Sequence, residues 1–150
     1  MKRFLALLLP ICLLAFSSCS KEKENGVDKL IGTYYGTRTG NCTIVINGQS
    51  STVPMNGSGK AMISRLSDNR IRLDYGGDIF DGTVADNHIS FESVTVSSTD
   101  ATGTLSLTIS ASGNVSGTII NIRETYSGSY YVQGSSFPVM GSGIVVLNKQ

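Results

Sequence analysis

The sequence is short of the residues that most site chemistry needs. It has one histidine, three cysteines and no tryptophan in 150 residues. With His88 alone, and with Cys42 the single cysteine left behind the export segment described below, a zinc site of the Cys/His type is excluded by count. The Asp-x-Asp-x-Asp-Gly spacing of a calcium loop is absent, and turn chemistry accounts for Asp78 and Asp86 without a metal. Lys and Arg form no cluster, so the sequence-independent attraction to phosphate that nucleic-acid binding draws on is missing. Long apolar runs are scarce too: Phe4 to Phe16 is the one stretch of its kind, 13 residues without a charge. A transmembrane helix needs about 20 apolar residues.

That run follows Met1-Lys2-Arg3 and ends at Phe16-Ser17-Ser18-Cys19. A basic start, a short apolar stretch and small residues before a cysteine form an export signal, to be set aside before any fold is read. The four residues 16–19 resemble a bacterial lipobox, with Phe where Leu is usual. The resemblance implies cleavage before Cys19, a lipid on Cys19 and a membrane partner reached through that anchor. Loss of Lys2 and Arg3 leaves ten basic against eleven acidic residues, a net charge of −1. Ser20 to Lys29 reads as a tether, its Lys21 to Gly26 stretch being polar. Its acidic residues resemble the export signals of Bacteroidota-type lipoproteins, which implies an outer-membrane lipoprotein on the periplasmic side or the cell surface. The expected organisation is a signal peptide over 1–18, a lipidated flexible tether over 19–29 and one domain over 30–150.

From Leu30 onward the pattern is β. In Arg70-Ile71-Arg72-Leu73-Asp74-Tyr75 and in Thr104 to Ser110 apolar and polar residues alternate, giving strands with one wet and one buried face. Strands are expected near 31–38, 42–47, 50–55, 59–66, 70–75, 79–85, 88–97, 103–110, 115–125, 129–134 and 139–147. Asn47-Gly48 suits a type I′ hairpin turn. In 88–97 the inward set slips from Ile89 and Phe91 to Val94 and Val96, which predicts a bulge near Glu92-Ser93. The short connections make consecutive strands antiparallel neighbours. A meander this long removes its open edges by closing into a barrel. Membrane-spanning barrels need aromatic girdles and an outward apolar band, and the polar face here is Ser, Thr, Arg and Asp.

The opening Leu30-Ile31-Gly32-Thr33-Tyr34-Tyr35-Gly36 resembles that of calycins and lipocalins, which begin Gly, any residue, then an aromatic that plugs the barrel base. Gly32 and Tyr34 match those positions, with Tyr in place of Trp. The resemblance implies an all-β, small antiparallel meander β-barrel with a small apolar or amphipathic ligand. The helix that usually follows such a barrel has no counterpart in the sequence.

Chemistry-bearing residues are few. His88 and Glu92 share a strand face but lie about 13 Å apart by strand rise, too far to pair. Cys42 has no positive neighbour in sequence to activate it and reads as a buried thiol. The tyrosines are the most suggestive set. Tyr34 and Tyr35 open the domain and Tyr126, Tyr130 and Tyr131 lie near its end, which closure of a meander brings into neighbouring strands. Their apolar bodies and polar tips suit a ligand pocket. The expectation is a non-enzymatic, cofactor-free binding barrel without a metal and without a nucleic-acid partner. The alternative is an envelope interaction lipoprotein that binds a protein or glycan through its outer surface.

Overall fold

A computed structural model describes residues 26–150. The signal segment, Cys19 and the first part of the tether lie outside the described residues. The described residues form ten strands: β1 (Gly32–Ile46), β2 (Gln49–Pro54), β3 (Gly57–Ser67), β4 (Arg70–Tyr75), β5 (Asp78–Ala85), β6 (His88–Phe91), β7 (Val94–Thr99), β8 (Thr104–Ser116), β9 (Ile119–Val132) and β10 (Ser135–Lys149). No helix occurs among the described residues. The pairing order is β10-β9-β8-β6-β5-β4-β3-β1, and β1 pairs with β10, so eight antiparallel strands close on themselves. The fold is therefore an all-β closed barrel, which fits the calycin-like reading.

The two remaining strands continue strands of the barrel. Thr37 opposes Ser58 and Thr43 opposes Thr52, so β2 and β3 lie on the same side of β1 in one unbroken register. The ladder is interrupted only at Met55-Asn56, where the Asn56 side chain accepts the Gly40 N–H at 3.2 Å. On the far side of the barrel, Ser90 opposes Ser112 while Val94 opposes Ile109. Those registers differ by one residue, which is the bulge at Glu92-Ser93 that the slip of the inward set predicts. Hence β2 and β7 extend one end of the barrel, and between them the short β4–β5 hairpin leaves the wall low.

Several expected breaks are absent. Ser112-Gly113-Asn114 reads as a turn, yet β8 runs through it to Ser116 and the turn falls at Gly117, with φ +60°. Gly113 is there for packing, since a Cβ would sit 3.1 Å from Ile122 Cγ1. Strands expected as 115–125 and 129–134 are the single β9, and 31–38 and 42–47 are the single β1. Asn47 and Gly48 both take positive φ, as a type I′ turn requires.

The core follows the alternation. Ile71, Leu73 and Tyr75 of β4 point inward with Ile120, Ile122 and Tyr126 of β9 and Val145 and Leu147 of β10. The packed unit starts ahead of residue 30: residues 26–30 form a turn, and Val27 is only 1% exposed within the core. Among the described residues the core runs from Val27 to Leu147, and the barrel closes through the β1–β10 ladder, which reaches Lys149. Residues 26–150 thus carry the closed barrel together with this core. At the base, Tyr34 is buried and donates its hydroxyl to the Leu30 carbonyl at 2.8 Å, with Lys149 Nζ 5.9 Å above its ring. Tyr34 thus plugs the barrel as the aromatic of the opening motif implies.

Candidate ligand site in the barrel wall

The inward rows of β1 and β9 each contain one residue that breaks the apolar pattern. On β9 the row is Ile120, Ile122, Glu124, Tyr126; on β1 it is Tyr34, Gly36, Arg38, Gly40, Cys42. Between these strands runs β10, whose Gly143 opposes both Gly40 and Glu124. Gly143 has no side chain to keep its neighbours apart. Arg38 and Glu124 meet over it, with Arg38 Nη2 donating to Glu124 Oε1 at 2.9 Å. Tyr126 donates its hydroxyl to Glu124 Oε2 at 2.5 Å. A Cβ on Gly143 would come within 2.4 Å of that hydroxyl. Burial and then the Glu124 bond push the Tyr126 phenol well above its ordinary range.

Glu124 is 3% exposed, and the Arg38 side chain is 16% exposed. Burying charge is tolerated only where it is paired and hydrogen-bonded. Glu124 meets that condition with two donors. Arg38 meets it in part: it is paired with Glu124, but its Nε is buried without a hydrogen-bond partner among the described residues. Its Nη1 is 3.9 Å from Asp78 Oδ2, beyond hydrogen-bond range. The guanidinium lies 5.2 Å from the centre of the Tyr75 ring, a cation–π distance.

Arg38 forms the floor of a recess of about 310 Å³ in the low part of the wall. Pro54, Met55 and Asn56 from the interrupted β2–β3 strand form one side, and Tyr75, Gly76 and Asp78 from the β4–β5 hairpin form the other. The interior below is filled. The space between Leu73, Phe80, Phe91 and Glu124 amounts to about 10 Å³, at the lower limit for one water molecule.

The tyrosines do not form one cluster. Tyr34 opposes Lys149 and Tyr130 opposes Phe137, so they sit about 40 Å apart along β10 by strand rise. Tyr35 and Tyr131 point outward and are half-exposed. Tyr130 donates to Thr102 Oγ1 at 2.8 Å at the far end. Tyr126 alone belongs to the Arg38 network. Cys42 is buried, which raises its thiol pKa. His88 faces Asn114 at 3.1 Å and Glu92 pairs with Arg70, so the two go to separate partners. Sequence reasoning missed Arg38 and Glu124. A usable signal was present, a charge within an otherwise inward-facing row of a strand.

No protein family and no curated protein matches the sequence. Solved structures with weak similarity include the following two. The ywiB protein from Bacillus subtilis is 11% identical, covering 79% of this chain and 93% of its own, at a TM-score of 0.38. The S-type phycobiliprotein lyase CPES from Guillardia theta is 9% identical, covering 83% and 90%, at a TM-score of 0.32. Likeness at this level carries no argument about ligand or activity. The fold assignment rests on the strand pairing itself.

Proposed function

We propose that this protein is a membrane-anchored binding lipoprotein, held at the outer membrane through Cys19, whose barrel carries a small amphipathic ligand in the wall recess. Arg38 carries the reading. A guanidinium held from behind by Glu124, with its Nη1 3.9 Å from Asp78 and beyond hydrogen-bond range, borders a recess of about 310 Å³, which lies at the small end of the range of ligand pockets. A polar group of the ligand meets Arg38, and its apolar part lies against Pro54 and Met55. No catalytic step is assigned. Native mass spectrometry of residues 26–150, after incubation with an extract of envelope lipids and metabolites, tests this. A discrete adduct is expected for the native sequence and for Tyr130→Ala. It weakens in Arg38→Lys, which keeps the charge and loses the planar fork. An adduct lost in Tyr130→Ala and kept in Arg38→Lys contradicts the assignment.

A second reading has its own observation. Strands β2 and β7 each pair on one side only, so two six-residue edges are free to take an added strand. A bare monomer mass under every condition favours this interaction role. Exposed apolar residues do not add to it, since Met140 stands between Thr43 and Ser127 and Ile144 between Thr39 and Arg123 on the adjacent strands.

A further inference from the structure

Arg38 and Asp78 face the same recess with opposite charges and do not complete a hydrogen bond with each other. We propose that the recess recognises a dipolar ligand of the α-amino-acid type, its carboxylate on Arg38 and its ammonium on Asp78, with the apolar side chain against Pro54 and Met55. This inference rests on the recess being the ligand site.

Arg38 and Asp78 both bring unmet hydrogen-bonding capacity to the recess. Arg38 has five N–H groups and one hydrogen bond, to Glu124. Tyr126 holds Glu124 from the other side, and the Tyr75 ring lies beside the guanidinium, so Arg38 is fixed before any ligand arrives. Asp78 stands at the lip, about one-third exposed, with its carboxylate 3.9 Å from Arg38 Nη1. An α-amino acid carries its two charged groups two bonds apart. Set beside this gap, its carboxylate oxygen and ammonium nitrogen each reach their protein partner at about 2.8 Å, the length of a charge-assisted hydrogen bond. Arg38, Glu124 and Asp78 together leave one negative charge in excess. A simple carboxylate meets Arg38 but is repelled by Asp78 and by the excess negative charge; a simple ammonium meets Asp78 but leaves Arg38 Nη1 without an acceptor. The dipolar molecule satisfies both. Gly57, Gly59 and Gly76 on the rim bring bare backbone close to it.

Isothermal titration calorimetry on residues 26–150 separates the cases with three probes of matched apolar bulk: L-leucine, 4-methylpentanoate and isoamylamine. Leucine is expected to bind about tenfold or more tighter than either singly charged analogue, the worth of one charged hydrogen bond. In Asp78→Asn, leucine loses about that factor and 4-methylpentanoate gains on it, while circular dichroism melting checks that the variant is folded. 4-Methylpentanoate or isoamylamine binding the native protein as tightly as leucine overturns the dipolar ligand and leaves the recess as a site. No heat from any probe, alongside a mass adduct that depends on Arg38, has the same meaning. No heat and no adduct overturn the site as well.

Discussion

The two ends of this barrel solve the same packing problem differently. At the base all eight strands are present, Tyr34 and Leu147 fill the interior, and no charge is buried there among the described residues. Towards the other end β4 and β5 stop short, β2 and β7 remain as unpaired edges, and charged Arg38 and Glu124 occupy the interior at the boundary. A complete wall permits an apolar core. Where the wall is incomplete, water reaches the interior, and a paired polar network fits what an apolar core does not. The same low wall opens the recess.

Substitutions at the two levels test that contrast, and the base should respond most. Tyr34→Ala removes a buried ring and its bond to Leu30, at a cost of about 3–5 kcal/mol in denaturant unfolding. At the boundary, Glu124→Leu leaves Arg38 without its partner and should cost about 3 kcal/mol. Adding Arg38→Met to that variant should restore much of the loss, since an unpaired buried charge costs more than an apolar pair. A double variant no more stable than Glu124→Leu would mean that Arg38 is solvated rather than buried.

Two pH effects follow, each smaller than these. Burial holds the phenols of Tyr34, Tyr75 and Tyr126 above their ordinary pKa of about 10. A raised folded-state pKa means that their contribution is intact below about pH 10 and is lost as pH rises towards the folded values. In an alkaline absorbance titration these three of the six tyrosines should ionise late, together with unfolding. A single step of all six at an ordinary pKa contradicts their burial. The smallest effect is at the acid end. The Arg72 hydrogen bond lowers the Asp81 pKa, and bonds from Thr102 and Gly103 lower that of Asp100. Stability from these groups is present above the ordinary carboxylate pKa and is lost as pH falls through the folded one. Both pairs are solvent-screened. Arg72→Met should therefore raise the acid unfolding midpoint only slightly, measured by circular dichroism.

Much of the wall was legible because its signal is local. Alternation in Arg70–Tyr75 marks β4 directly, Asn47-Gly48 marks its hairpin, and the slip from Phe91 to Val94 marks the bulge. Expected strand breaks failed where a glycine serves packing. Gly113 and Gly128 fall in the gaps between expected strands, but both lie mid-strand, and a Cβ on Gly128 would overlap the Ser106 carbonyl. The site was less legible because it is assembled across the chain. Arg38 and Glu124 are 86 residues apart and meet only through the registers that set Gly143 between their strands. The tyrosines, grouped by their place in the sequence, separate because β1, β9 and β10 are long enough to put them at opposite ends.

Amide chemical-shift mapping on residues 26–150, titrated with the ligand-bearing fraction of an envelope extract, tests the central claim most directly. The account predicts shifts gathered at Gly57, Gly59, Gly76 and Arg38, with the base around Tyr34 and Leu147 unmoved. Shifts spread through the base, or confined to the outward face around Tyr131 and Met140, would contradict it.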